Sequence, residues 1–278
     1  MSNNLTWAYY KSILKNKLRY ENIIVPAPFA HYAFFIGSIT KAKTLLAIFA
    51  HPDDEGAIGS AVAEYAKTHK VYIIIATDGR YGVREHARIP EGDSLAVVRK
   101  KEMECACGKL GVQPPILLGF HDGMGMRTGV GEAFKQIREL TKILKEKIDS
   151  LNPAFIITFG PDGDTGHPDH RMIGNITTEI ILKEGWDKKY PLYYVAWTKE
   201  QSDAIYPENL NYMNKQYLNV AVHVEDRHEA IAWRAIKCHK SQLTENEMDE
   251  WINLDKKDTS NTFYFRRFSV KKGMQKGF

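Results

Sequence analysis

Two clusters of histidine and carboxylate side chains follow apolar runs that lie far apart in the sequence. The first, His51–Glu55 (HPDDE), comes directly after residues 44–50, and the second, His167–His170 (HPDH), closely follows residues 154–160. Imidazole nitrogens and carboxylate oxygens are ordinary Zn²⁺ ligands, and three of them leave a position open for water, as in catalytic sites. Helix capping and turn formation are the alternative explanation for either cluster alone. The repeated pattern favours a divalent-metal site, whereas the three carboxylates of the first cluster argue against a phosphate-binding dinucleotide loop.

The elements around the clusters predict how they meet. Short, continuous apolar runs predict buried parallel strands, and apolar residues spaced three or four positions apart predict helices. Because strands alternate with helices, we expect an α/β fold with a Rossmann-like, mostly parallel sheet and helices on both faces. Ligands bind such sheets at the carboxyl ends of the strands, where both clusters lie. The predicted strands are residues 44–50, 71–77, 116–120, 154–160, 192–197 and 218–224, and the predicted helices include 94–110, 133–151, 173–181 and 226–239.

The domain organisation follows from where this alternation begins. Residues 1–42 lie outside it and are predicted to be an N-terminal extension, and residues 43–278 are predicted to form a single domain. The apolar stretch 23–39 contains two prolines and a histidine, so we expect a strap packed on the domain rather than a signal peptide or a membrane span. The net charge of +4 is spread along the chain, which predicts no nucleic-acid partner and gives no argument for binding to a membrane surface.

The cysteine content predicts the redox compartment. The chain has three cysteines, Cys105, Cys107 and Cys238, so they cannot all pair within it. On a helix, Cys105 and Cys107 point in nearly opposite directions and cannot bond to one another. We therefore expect free thiols and a cytoplasmic location.

The two clusters also carry a resemblance to a known family. Ala50–Glu55 and His167–His170 resemble the signature motifs of the LmbE/PIG-L family of zinc-dependent N-deacetylases. The resemblance implies a hydrolase that removes the acetyl group from a small-molecule amino sugar of the N-acetylglucosamine type or from a glycoconjugate. It extends from about residue 44 to residue 242, through the further motifs Thr77–Gly79, Arg99-x-x-Glu102, Leu118–Gly123 and Cys238–Gln242.

The resemblance also implies roles for the residues of both clusters. It places Zn²⁺ on His51, Asp54 and His170 and leaves Asp53 free as the general base that readies a water molecule. His167 would stabilise the oxyanion and protonate the leaving amine. Asp169 would keep His167 protonated, or would only fix the turn. This ligand set also accepts Fe²⁺ or Mn²⁺.

Substrate contacts are expected from three further residues. Arg99 resembles the sugar-binding arginine of the family, and Asp122 lies in a glycine-flanked loop from which it could accept hydrogen bonds from the sugar. Arg80 stands where the family often has a glutamate, and this reversal of charge suggests a substrate with an anionic group. Thr165 stands where some relatives have a tyrosine. If that tyrosine assists catalysis, its role is either absent here or taken by Tyr81.

Two other functions remain open at the level of sequence. An amidase acting on a different amide, such as a thiol conjugate, would use the same metal chemistry with a different cavity lining. A non-catalytic metal-binding α/β protein would hold an ion without hydrolysing anything. The sequence also allows a homo-oligomer.

Overall fold

The structure, a computed structural model, describes residues 42–206 and 209–273, without the side chain at position 124. The extension predicted for residues 1–42, and the strap within it, therefore lie outside the described residues except for Ala42. Within the described part, no helix combines the length and the apolar character needed to cross a lipid bilayer.

A seven-stranded sheet forms the centre of the fold, in the order β3-β2-β1-β4-β5-β7-β6. The first five strands along the chain are parallel, and β7 pairs antiparallel with both β5 and β6. The predicted fold class, a mostly parallel sheet, is confirmed. Strand β7 was missing from the prediction. The strands are β1 (Lys43–Phe49), β2 (His69–Thr77), β3 (Ile116–Phe120), β4 (Phe155–Phe159), β5 (Leu192–Ala196), β6 (Val220–His223) and β7 (Thr262–Arg267).

Helices cover the central strands in two groups. Helices α1, α2 and α6 contact one another, whereas α3 contacts α4. Residues 45–50 are consequently almost without solvent contact on either face, which explains their unbroken run of apolar side chains. The α-helices are α1 (Gly59–Tyr65), α2 (Asp93–Leu110), α3 (Val130–Leu151), α4 (Pro168–Lys183), α5 (Lys199–Ile205), α6 (Asp226–Ile236) and α7 (Glu245–Asp255).

The pairing of β1 with β4 brings the two clusters together. The strands are parallel and in register from Leu45 opposite Phe155, so both chains leave the sheet at the same edge. Two threonine hydroxyls form further hydrogen bonds at this edge: Thr158 donates to the carbonyl of Ile48, and Thr77 donates to that of Ala50. The expected meeting of two distant segments at the carboxyl ends of the strands is thereby confirmed.

The cysteines differ from the expectation. Cys105 on α2 and Cys238 just after α6 form a disulfide, so the prediction of free thiols is wrong for these two residues. The reason is tertiary, since packing of α6 on α2 brings together positions 133 residues apart. Cys107 is free and buried, as expected. Because disulfides are uncommon in the cytosol, the cytoplasmic location stays a prediction.

The disulfide is expected to contribute measurably to stability. Replacing both Cys105 and Cys238 by serine should lower the free energy of unfolding by about 2–4 kcal/mol, because a long loop in the unfolded chain is no longer closed. Urea unfolding of the oxidised protein measures this, and dithiothreitol should reduce the stability of the wild type while leaving the double variant unchanged. Three titratable thiols in the oxidised, denatured wild type would contradict the assignment.

Candidate metal centre

The second cluster is positioned by the start of helix α4. The backbone N–H of Asp169 donates to Nδ1 of His167, so His167 is the N-cap of the helix, and Pro168 follows at a position that favours proline. Asp169 and His170 thus lie in the first helical turn, buried at the edge of the sheet. The capping role and the chemical role of this segment are therefore compatible.

Three side chains from the two clusters place their ligand atoms at the spacing of a metal site. Nδ1 of His51 lies 3.3 Å from Nε2 of His170, which in turn lies 3.0 Å from Oδ1 of Asp54. The remaining distance, from His51 Nδ1 to Asp54 Oδ2, is 3.7 Å. Tetrahedral coordination at Zn–N and Zn–O distances near 2.1 Å separates neighbouring ligand atoms by about 3.4 Å. The donor set and its spacing therefore fit a divalent ion.

Neighbouring groups hold each of these ligands in orientation. His170 contacts the carbonyl of Gly163 through Nδ1, at 3.1 Å, and stacks on the ring of Phe159. The carboxylate of Asp54 accepts from the backbone N–H groups of Ala50 and His51. An imidazole that donates through one nitrogen offers the lone pair of the other to a metal. The arrangement is prepared by the fold before any ion is bound.

Asp169 has a different partner from the one the sequence suggested. Its carboxylate lies 3.1 Å from Nε2 of His51 and accepts from the backbone N–H of Gly123 at 2.7 Å. Only its backbone contacts His167 through a hydrogen bond. The expectation that Asp169 holds His167 protonated is thus not what the contacts favour: burial and the imidazoles of His51 and His170 lower the pKa of His167, against the opposing charge of Asp169.

The electrostatics of the cluster balance buried acids against buried imidazoles. Burial alone lowers the pKa of His51, but Asp54 and Asp169 outweigh it and raise this pKa to about 10. Conversely, although burial favours its neutral form, His170 and His51 hold the pKa of Asp54 well below its usual range. Carboxylates that attract protons onto neighbouring imidazoles would equally attract a divalent cation.

The imidazole of His167 lies beside those of His51 and His170. Ligand nitrogens of His51, His167 and His170 all lie within 4.8 Å of one another, so a three-histidine set is also present. His167 is exposed, however, and its Nδ1 is occupied by the helix cap. The carboxylate-containing set with Asp54 is the more buried and the more closely spaced.

Asp53 lies next to the candidate ligands and is bound from the other side by Arg99. One carboxylate oxygen of Asp53 is 2.9 Å from the guanidinium, which is itself buried and also donates to the carbonyls of Pro52 and Gly79. Burial raises the pKa of Asp53, although Arg99 opposes this. The structure therefore directs Arg99 toward Asp53 and the backbone, at the wall of the cavity in which we expected it to clamp a sugar.

Of the other two predicted substrate contacts, Asp122 lies in the wall of the cavity and Arg80 lies outside it. A cavity of about 690 Å³ opens over the cluster, and Asp122 lines it while accepting from the backbone N–H groups of Gly79 and Tyr81. Arg80 is not among the lining residues, because Asp78 and Asp93 bind its guanidinium. Thr165 is exposed and does not line the cavity either.

Sequence reasoning missed two residues of the cavity wall. Arg127 stacks on the ring of Tyr81 at 4.2 Å and forms an exposed ion pair with Glu91. Gln242 lines the cavity and donates to the carbonyl of Gly82, which lines it too. Gln242 belonged to a recognised late motif, whereas Arg127 had no signal beyond its place in a glycine-rich loop.

Comparison with known proteins gives matches to a family and to individual relatives. A family model described as PIG-L, GlcNAc-PI de-N-acetylase, matches residues 46–181. The 1D-myo-inositol 2-acetamido-2-deoxy-alpha-D-glucopyranoside deacetylase of Mycolicibacterium vanbaalenii is 32% identical over 180 residues, which are 59% of this chain and 62% of that protein. The probable N-acetyl-alpha-D-glucosaminyl L-malate deacetylase 2 of Bacillus anthracis is 26% identical over 63% of this chain and 76% of its own length. The chain thus spans less than two thirds of the mycobacterial relative.

Solved structures share the fold. The N,N'-diacetylchitobiose deacetylase of Pyrococcus horikoshii superposes with a TM-score of 0.57 at 23% identity, over 82% of this chain and 84% of that one. At this identity, the similarity establishes the α/β architecture.

Proposed function

This chain belongs to the PIG-L/LmbE family, and from that premise we propose that it is a metal-dependent hydrolase that removes the acetyl group from an N-acetylglucosamine-type amino sugar or glycoconjugate. The observation that carries the proposal is the set of three ligand atoms from His51, Asp54 and His170 beside the separate carboxylate of Asp53. A structural metal site has no need of that extra carboxylate at the wall of a cavity.

His51, Asp54 and His170 would hold the ion, either Zn²⁺ or another divalent metal such as Fe²⁺ or Mn²⁺. When bound, the ion supplies Lewis acidity to the site and makes water there more acidic. Asp169 orients His51 through Nε2, which leaves Nδ1 turned toward the other ligands.

Asp53 acts as the general base. Its carboxylate lines the cavity, and the neighbouring guanidinium of Arg99 favours its charged form, in which it accepts a proton from water. Positive charge on Arg99 also restrains the carboxylate in one orientation. Arg99 is thus assigned to positioning the base, in addition to bounding the space for the sugar.

His167 is the candidate hydrogen-bond donor to the oxyanion. Its Nδ1 accepts from the helix backbone, so the proton of the neutral ring resides on Nε2. The ring lies beside those of His51 and His170, with centroids 4.7 Å and 5.0 Å away. From there Nε2–H would donate a hydrogen bond to the developing oxyanion, and the leaving nitrogen would take the proton that Asp53 removed from water.

A screen for acetate release tests the proposal. Full-length protein loaded with Zn²⁺, Fe²⁺ or Mn²⁺ is incubated with N-acetylglucosamine, N,N'-diacetylchitobiose and conjugates of N-acetylglucosamine with inositol or malate. We expect release of acetate and of a free amine from at least one of them. Hydrolysis of the amide of a thiol conjugate, assayed in parallel, but of none of these sugars would favour the amidase alternative, and protein that hydrolyses neither kind of substrate with any ion would refute both.

Arg127 is expected to favour substrates with an anionic group. Its guanidinium lines the cavity, and its exposed pair with Glu91 is weak enough to be exchanged for a substrate carboxylate or phosphate. Arg127→Gln should raise KM for the malate conjugate about 2- to 5-fold, with little change for N-acetylglucosamine, as for an exposed ion pair.

Arg80 and Arg138 supply the comparison for this experiment. Arg80→Glu is expected to leave the preference unchanged, because its guanidinium is committed to Asp78 and Asp93 outside the cavity. Arg138→Gln removes an exposed charge from α3 and should also be neutral. A change of preference with Arg80→Glu alone would restore the hypothesis that the sequence suggested.

A further inference from the structure

The backbone of Asp53 has an unusual conformation. Its φ is +127° and its ψ is −18°, a region that residues with a side chain rarely adopt. Such a conformation persists only where surrounding contacts impose it, and it occurs preferentially at functional sites. The contacts that impose it therefore govern where the carboxylate of Asp53 points.

Glu55 holds the peptide of Asp53. Its Oε2 accepts from the backbone N–H of Asp53 at 3.2 Å, while its Oε1 lies 2.6 Å from Nε2 of His239. Both side chains are almost fully buried, at 1% and 0% exposure. Burying a carboxylate costs free energy unless another group compensates its charge. The imidazole of His239 provides this compensation, so Glu55 can remain buried next to the backbone of Asp53.

His239 depends on Glu55 in turn. Its other ring nitrogen, Nδ1, is buried and has no hydrogen-bond partner among the described residues. Neither His239 nor Glu55 lines the cavity. The pair therefore faces the peptide of Asp53 from within the protein, on the side away from substrate.

The segment that carries His239 is fastened to helix α2. Cys238, the preceding residue, is bonded to Cys105, and Ser241 donates its N–H and its hydroxyl to the carboxylate of Glu102 at 2.7 Å and 2.6 Å. These attachments fix His239 from both sides along the chain. A segment near position 240 is thus anchored so that it can reach a residue at position 55.

We propose that Glu55 and His239 are positioning residues that hold Asp53 in its positive-φ conformation and thereby direct its carboxylate into the cavity. The inference deepens the proposed function, in which Asp53 is the base. It assigns no contact between substrate and either residue. Loss of the pair should therefore impair turnover and spare substrate affinity.

The test compares kcat, KM and bound metal in Glu55→Ala, Glu55→Gln and His239→Ala. Both alanine variants should lower kcat by about 10²-fold, the cost of misplacing a reacting group by an ångström, with KM and metal content unchanged. Glu55→Gln should recover most of kcat, because its amide oxygen still accepts from Asp53 and its NH₂ can donate to neutral His239.

His228 and Glu64 provide a matched control. His228 is buried, as His239 is, and its Nδ1 lies 2.9 Å from the carboxylate of the partly exposed Glu64; neither residue lines the cavity. His228→Ala should destabilise the fold as His239→Ala does while leaving kcat unchanged. Equal loss of kcat in both variants, or unchanged kcat in Glu55→Ala, would overturn the assignment.

Crystal structures keep the inference separable from the proposed activity. If the wild type releases no acetate, the proposed function fails, yet the conformation of residue 53 can still be compared between wild type and Glu55→Ala. Relaxation of φ to a negative value in the variant supports positioning. Retention of φ near +127° with an unmoved carboxylate overturns it, and circular dichroism of each variant establishes that it is folded.

Discussion

Asp53→Asn is expected to lower kcat by about 10²–10⁴-fold, the usual contribution of a general base. The substitution is nearly isosteric, and the amide oxygen of asparagine can still accept from Arg99, so the fold and the cavity should persist. What it removes is the ability to take a proton from water. Steady-state kinetics on the best substrate of the screen measures the loss, and metal analysis should find the same ion content as in the wild type.

The pH profile provides a second measure of the same residue. Burial raises the pKa of Asp53 above its ordinary value, with Arg99 opposing. A base works when deprotonated, so wild-type activity should be high above this pKa and should fall as the pH drops through it. The residual activity of Asp53→Asn should lack that acidic limb. A variant with unchanged kcat and an unchanged profile would remove Asp53 from the mechanism.

Asp54→Asn is expected to weaken metal binding strongly and thereby to remove activity at metal concentrations that saturate the wild type. The carboxylate contributes a ligand oxygen 3.0 Å from His170 Nε2 and the negative charge that two imidazoles cannot supply. Losing a direct ligand should weaken metal affinity by more than the roughly 10–100-fold cost of losing a neighbouring orienting residue. Asparagine preserves the acceptor for the N–H groups of Ala50 and His51, so the loop should keep its shape.

Metal content after dialysis, and activity titrated with Zn²⁺, test this prediction. Wild-type protein should lose activity with a chelator and recover it on adding the ion, whereas Asp54→Asn should recover only at far higher concentrations. Asp149→Asn is a suitable control, because Asp149 is an exposed partner of Lys189 on α3. Full activity of metal-free wild type, or stoichiometric metal in Asp54→Asn, would exclude the proposed ligand set.

The central strands could be predicted because burial on both faces requires a run of apolar residues, which is visible in the local sequence. The residues of β1 and β4 are mostly apolar, and each strand is followed by turn residues that mark its end. Strand β7 has no such apolar run, because Arg266 and Arg267 follow its aromatic residues and it pairs antiparallel near the edge of the sheet. Its recognition depends on neighbours far along the chain.

Residue type and position at a strand end are local properties, so the amino-acid sequence was enough to predict which residues could bind a metal and that they would meet. The amino-acid sequence did not predict which polar side chain would pair with which. Only the tertiary structure paired Asp169 with His51, Arg99 with Asp53, and Cys105 with Cys238. Likewise, Glu55 meets His239 across 184 residues, with nothing in either segment to specify the other. Such pairings depend on how loops and helices pack once the sheet has formed, and hydrophobic periodicity carries no information about which polar side chain will face which.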